Sequence, residues 1–355
     1  MSAWREVLGR RGRQAAHWVV VGAALGYLAW KVPGFVEDVT RSGRTSLDVR
    51  WEWVAVAAVS SLAALALYGE MHRQLLLVGS AHLAVRTVQG INIVENAVSS
   101  TIPVVGGAGA LAYAIDQLRR RGVDTALASW SVLVAGLVDT LTLAALGALG
   151  LGWAGRVSPV VAVLITLGVV LVAVGGWAVL THPAVLRRGL HGLLTLASRI
   201  PGFCPPCRDA WRIRTEQAAG RLSTRIALLR PGAPRWLLVT LLAVVSWTLD
   251  YLALTATVAS VGMPVPWALL AVGFLIVQGS IALQIFPGGA GLAETGLLGV
   301  LLAGGLAAAP AAVSVLIYRA ISWLGLSLLG WAVYAAWIHT SPIHIHRHAP
   351  ELSQV

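Results

Sequence analysis

Stretches such as VVVGAALGYLAW and LLVTLLAVVSW leave no polar face for water to meet. A helix at the surface of a soluble domain carries an apolar stripe and a polar one. Runs that are apolar on every side instead fit a bilayer, where about 20 such residues cross the hydrocarbon. Composition agrees, since only 12% of the 355 residues are charged against about a quarter in a soluble domain. The ten-residue alternation of a membrane barrel is not seen, so the chain reads as an all-α polytopic membrane protein.

The net charge of +11 does not point to nucleic acid. The arginines sit in short segments flanking the apolar runs, where the positive-inside rule places them, so they report orientation. MSAWREVLGRRGRQ precedes an apolar run from His17 to Pro33 that is too long for the core of a signal peptide, and it reads as an uncleaved first helix. Cys204 and Cys207 form CPPC in a basic loop. A redox role would require a thioredoxin-like context, and a zinc site would need two further ligands. His344, His346 and His348 can supply those only if the tail reaches the loop; the alternative is a solvated tail. No cofactor and no resident metal is expected.

Charge at the segment ends divides the chain into four parts: a first membrane half, 1–181; a basic cytoplasmic loop, 182–235; a second membrane half, 236–340; and a histidine-rich cytoplasmic tail, 341–355. Crossings are read at about 16–33, 53–69, 125–151, 157–180, 236–260 and 310–338. Residues 87–118 are interrupted by STIPVVGGAG and bounded by Arg86 and by Arg119, Arg120 and Arg121, so both ends favour the cytoplasmic side. That predicts a hairpin, re-entrant because its second limb is short and holds Asp116, although two tilted crossings give the same sidedness. Residues 267–305 around IFPGGAG carry no arginine at either end and suit a hairpin entered from outside. Both termini are then cytoplasmic, with the plasma membrane as the expected location.

The two hairpins resemble each other. Gly106, Gly107 and Gly109 fall on Gly288, Gly289 and Gly291, and Gly122 on Gly304; after a one-residue slip, Ser131, Val132, Leu133 and Gly147 fall on Ser314, Val315, Leu316 and Gly330. With opposite sidedness these are inverted repeats, a transporter arrangement in which broken helices meet near the midplane.

At these residues the chain resembles the flippase-like membrane domain family, the lysylphosphatidylglycerol synthase transmembrane region. The resemblance rests on the Gly-Gly turn followed by Leu118-Arg119-Arg120-Arg121-Gly122, then Pro287-Gly288-Gly289-Ala290-Gly291 with Glu294 and Tyr318-Arg319. It implies an integral membrane protein moving lipids between leaflets, aminoacylated phosphatidylglycerol among them. With no synthase domain in the 355 residues, no aminoacyl transfer is expected, and a separate lipid-modifying enzyme is a possible partner. The chain departs from many members in having Val104-Val105 rather than a basic residue in the first turn, and only Asp139 where they have a Glu-Arg pair.

A charge near the bilayer centre costs about 3 kcal/mol or more, so Glu95, Asp139, Asp250, Glu294 and Arg319 each need a partner or a wet cavity. Arg319 can grip a lipid phosphate with two donors or pair with Glu294, and a fixed ion pair between hairpin and helix is the competing role. Gly288, Gly289 and Gly291, and on the other side Gly106 and Gly107, either aim helix N-termini at an anionic headgroup or serve tight turns. Glu294 can instead cap its own helix, which on this reading frees Arg319. Asn92, Glu95 and Asn96 share a helix face that can line a headgroup groove or bond between helices.

The function expected is lipid transport, with membrane lipids, anionic ones above all, as partners. An ion-coupled carrier of small solutes and a non-transporting scaffold are the alternatives. No nucleotide-binding motif or catalytic arrangement is visible, so the chain is not expected to be an enzyme.

Overall fold

The computed structural model describes residues 49–102, 106–180, 231–283 and 286–340. The first helix, the 103–105 turn, nearly all of the basic loop with its CPPC, and the histidine tail lie outside the described residues. Every regular element among the described residues is helical. In order they are α1 (Trp51–Leu76), α2 (Val85–Thr101), α3 (Gly106–Arg120), α4 (Thr125–Trp153), α5 (Pro159–Leu180), α6 (Ala233–Ser260), α7 (Trp267–Ala282), α8 (Leu292–Ala303), α9 (Ala308–Arg319) and α10 (Leu326–Thr340). A short 3₁₀ turn, Pro287–Gly289, precedes α8, and a π-helical segment, Ala320–Gly325, joins α9 to α10. Four helical spans are long and apolar enough to cross a membrane: Trp51–Gly79, Thr125–Trp153, Ala233–Ser260 and Ala308–Ala336.

Sequence reading ends the second helix near residue 69, but α1 continues to Leu76. Glu70 and Arg73 neutralise each other one turn apart, with N–O distances of 2.7 Å, so charge does not stop the helix. His72 is buried against the Ser131 hydroxyl at 3.2 Å.

Helices α1 and α6 form the central antiparallel pair. The N–H of Arg50 donates to the Ser260 carbonyl at one end, Ser246 Oγ to the Ala64 carbonyl in the middle, and Arg235 to Gln74 Oε1 at the other. Their buried faces are made of small residues, Ala57, Ser60, Ser61 and Ala64 against Ala243, Ser246, Ala253 and Ala256. Within lipid, association depends on such close packing rather than on escape from water.

The two helix pairs α2–α3 and α7–α8 sit at opposite ends of α6. Val88 at the start of α2 and Leu118 at the end of α3 share a cluster with Met71, Leu75 and the early α6 residues Val239 and Ala243. Leu270 at the start of α7 and Leu301 at the end of α8 share another with the late α6 residues Leu254 and Val258. The limbs are short: α3 has 15 residues and α8 has 12, about 22 and 18 Å against a hydrocarbon core of about 30 Å.

Each pair closes with the same cap. Gly122 and Gly305 have φ of 83° and 84°. Val123 N–H donates to the Leu118 carbonyl, and Leu306 N–H to that of Leu301. This is the Schellman arrangement, which requires the left-handed residue that glycine supplies. The conformational counterpart of Gly122 is therefore Gly305, not the Gly304 that sequence matching selects. With that correction, Leu118 and Leu301, Gly122 and Gly305, Ser131 and Ser314, and Gly147 and Gly330 all stand at one constant sequence offset.

The glycines of the last pair do the same work. A Cβ on Gly147 of α4 would strike Leu275 of α7, and one on Gly330 of α10 would strike Ala97 and the Ile93 carbonyl of α2. Gly330→Val is expected to force α10 off α2 and cost about 2 kcal/mol, as overpacking does. Thermal unfolding in detergent checks this, and an unchanged midpoint would refute the close approach.

Candidate functional site

Arg319 ends α9 and is only 2% exposed. Its Nε donates to Glu294 Oε1 and its Nη2 to the Gly288 carbonyl, both at 2.6 Å. The guanidinium also lies over the Trp323 ring, 5.0 Å from its centroid. A buried guanidinium needs a counter-charge and acceptors for its fork of donors, and these groups supply them.

The sequence poses capping and ion pairing as alternatives for Glu294, and the structure corrects that. Oε2 accepts from the Gly291 N–H at the start of α8 while Oε1 holds Arg319, because a carboxylate has two oxygens. The positive end of α8 is thus partly satisfied by the protein's own acid. Gly291, at φ 89°, is the N-cap residue that permits this.

Gly288 has φ 56° and is buried, and a Cβ there would overlap the Trp323 indole. Gly289, at φ 69°, packs as closely on Ser280. Trp323 in turn donates its Nε1 to the Ser100 carbonyl at the end of α2, at 3.1 Å. Ser100 Oγ pairs with Ser327 Oγ at 2.9 Å, and Trp331 Nε1 donates to Thr101 Oγ1 at 3.2 Å. The end of α2 and the Pro-Gly-Gly turn therefore meet on the π-helical segment. The preference of π segments for functional positions fits this location.

A cavity of about 190 Å³ opens beside this junction. Arg319, Tyr318 and Gly288 line it together with Asn96, Asp139, Asp250, Gln278, Ser61 and Tyr68. Gln278 Nε2 donates to Asp250 Oδ2 at 2.9 Å, and Trp247 Nε1 to the Asp139 backbone carbonyl at 3.0 Å. Trp247 also borders an apolar cavity of about 300 Å³ among α4, α6 and α7.

Other predicted residues lie away from this cavity. Asn92 Nδ2 is committed to the Leu65 carbonyl at 2.7 Å, bonding α2 to α1. Glu95 is buried, and its Oε2 has no hydrogen-bond partner among the described residues. The polar face of α2 is thus divided, with Asn96 in the cavity and Asn92 in helix packing. Gly106 and Gly107 start α3 and do not line the cavity. Sequence reasoning missed Trp323, Tyr68 and Ser61; for Trp323 the available signal was an aromatic four residues after a membrane arginine, one turn along the same face.

Long apolar helices around a cavity lined by charged groups define a multi-pass helical membrane protein. Residues 17–330 match the lysylphosphatidylglycerol synthase TM region, and the chain belongs to that family. No functionally curated protein matches it.

Proposed function

We propose that the protein is a lipid flippase or transporter that moves an anionic phospholipid or lipid-linked headgroup between leaflets of the plasma membrane, with about six crossings, both termini cytoplasmic and no enzymatic step. The observation that carries this is a buried arginine, Arg319, lining a polar cavity where a Pro-Gly-Gly turn and the end of α2 meet. Its guanidinium suits a phosphate, and Glu294 holds it while no lipid is bound.

The two helix pairs are read as re-entrant hairpins of an inverted repeat. Support comes from their short limbs, their places at opposite ends of α6, and their matching caps at a constant offset. Reciprocal packing adds to it: α10, after the second pair, lies on α2, and α4, after the first, lies on α7. Two such halves can open alternately around one site.

The test is movement of fluorescent anionic and zwitterionic lipids in proteoliposomes by the parent and by Glu294→Gln. The parent is expected to move lipid. The variant leaves the buried Arg319 without its counter-charge, so its rate should change together with a lower melting midpoint, and the rates are compared below that midpoint. A parent inactive on every lipid but active on a small solute would replace this reading with a carrier of small solutes, which Asp139 and Asp250 in the same cavity also suit.

A further inference from the structure

The cavity holds more negative than positive charge, an awkward lining for an anionic headgroup. Asp139 of α4 and Asp250 of α6 face the same space as Arg319, whose own charge is already shared with Glu294. Two carboxylates beside one low-dielectric cavity repel each other and any phosphate entering it. A single bound cation removes most of that repulsion.

A second observation points to a ligand here. Ser61 of α1 lines the cavity, is 1% exposed, and its Oγ has no hydrogen-bond partner among the described residues. A buried polar group without a partner is costly, and a hydroxyl in the wall of a cavity that also holds two carboxylates is suited to a cation or the water that carries one. We propose that Asp139 and Asp250, with Ser61, form a coupling site for a monovalent cation, H⁺ or Na⁺, whose occupancy admits the anionic headgroup to Arg319.

The inference rests on the transport reading above and adds its energy source. The charged and titratable neighbours are consistent with one site rather than several. Tyr68 of α1 lines the cavity with Asp139 and Asp250, and Glu95 of α2 is buried outside that lining. Gln278 of α7 donates to Asp250, and Tyr318 of α9 lines the same cavity as Asp250 and Arg319. Tyr318 thereby links the cation site to the headgroup site. Entry of the cation and of the phosphate becomes mutually favourable, as linkage requires of any two coupled ligands.

The experiment imposes, in proteoliposomes with the membrane potential clamped, either a proton gradient at constant sodium or a sodium gradient at constant pH. One gradient is expected to speed anionic-lipid movement by the parent about tenfold, and the arm that does so identifies the cation. Asp139→Asn and Asp250→Asn should lose that dependence, and Ser61→Ala should raise the half-saturating cation concentration about fivefold, the worth of one hydrogen bond. The melting midpoint in detergent supplies a readout independent of transport: the cation should raise it in the parent and not in the two Asn variants. Lipid movement by the parent that neither gradient alters overturns the coupling site and leaves the flippase reading standing. Cation flux lost in the Asn variants, without lipid movement, does the reverse. Neither flux nor a midpoint shift overturns both.

Discussion

Arg319→Ala will leave the partly exposed Glu294 carboxylate without its cation and the Gly288 carbonyl without its donor. Losing these hydrogen bonds beside a carboxylate that keeps some access to water should cost about 1–3 kcal/mol, so a lower melting midpoint is expected together with loss of lipid movement. Arg319→Lys separates the two effects. An ammonium keeps the charge but cannot reach two acceptors while lying flat on Trp323. The lysine variant should therefore recover much of the stability and little of the transport. Full transport by Arg319→Lys would show that a point charge suffices and would refute bidentate recognition.

Gly288→Ala should be nearly as damaging for a different reason. At φ 56° the residue occupies the left-handed region, which costs an alanine about 1 kcal/mol. The added methyl must also displace the Trp323 indole, an overpacking of about 1–3 kcal/mol. Because that indole also holds Arg319 and the end of α2, the damage should spread to transport. Trp323→Phe is mildly harmful alone but removes part of the clash, so the double variant should be less impaired than the sum of the singles. A double-mutant cycle on melting midpoints measures this, and strict additivity would deny the contact.

The membrane class and the breaks that separate α2 from α3 and α7 from α8 were legible in the sequence because both are written in local composition: apolar runs and Pro-Gly interruptions. Helix ends were less so. The carboxylate of Glu70 looks like a boundary until Arg73 is seen to neutralise it. Gly304 and Gly305 are adjacent and identical in letter, and only the sign of φ tells which one closes α8. At the site, sequence alone shows that Asp139 and Asp250 are expensive in a membrane. That they share one cavity is a property of how α4 and α6 pack, which no local pattern encodes. Asn92 and Asn96 lie four residues apart on one face, yet one is spent on the Leu65 carbonyl of α1 and the other lines the cavity.

The π-helical segment distinguishes the two halves. From Ser131 to Gly147 the chain runs through continuous α-helix, and the equally long path from Ser314 to Gly330 passes through the wider turns of Ala320–Gly325. Wider turns rotate each residue less about the axis, so equal residue counts leave Gly330 and Gly147 facing differently relative to the serines that begin each path. The two paths are equal in length and unequal in phase. The residue that stacks on Arg319, Trp323, sits in this under-wound stretch, so the site is built where the second path departs from the first.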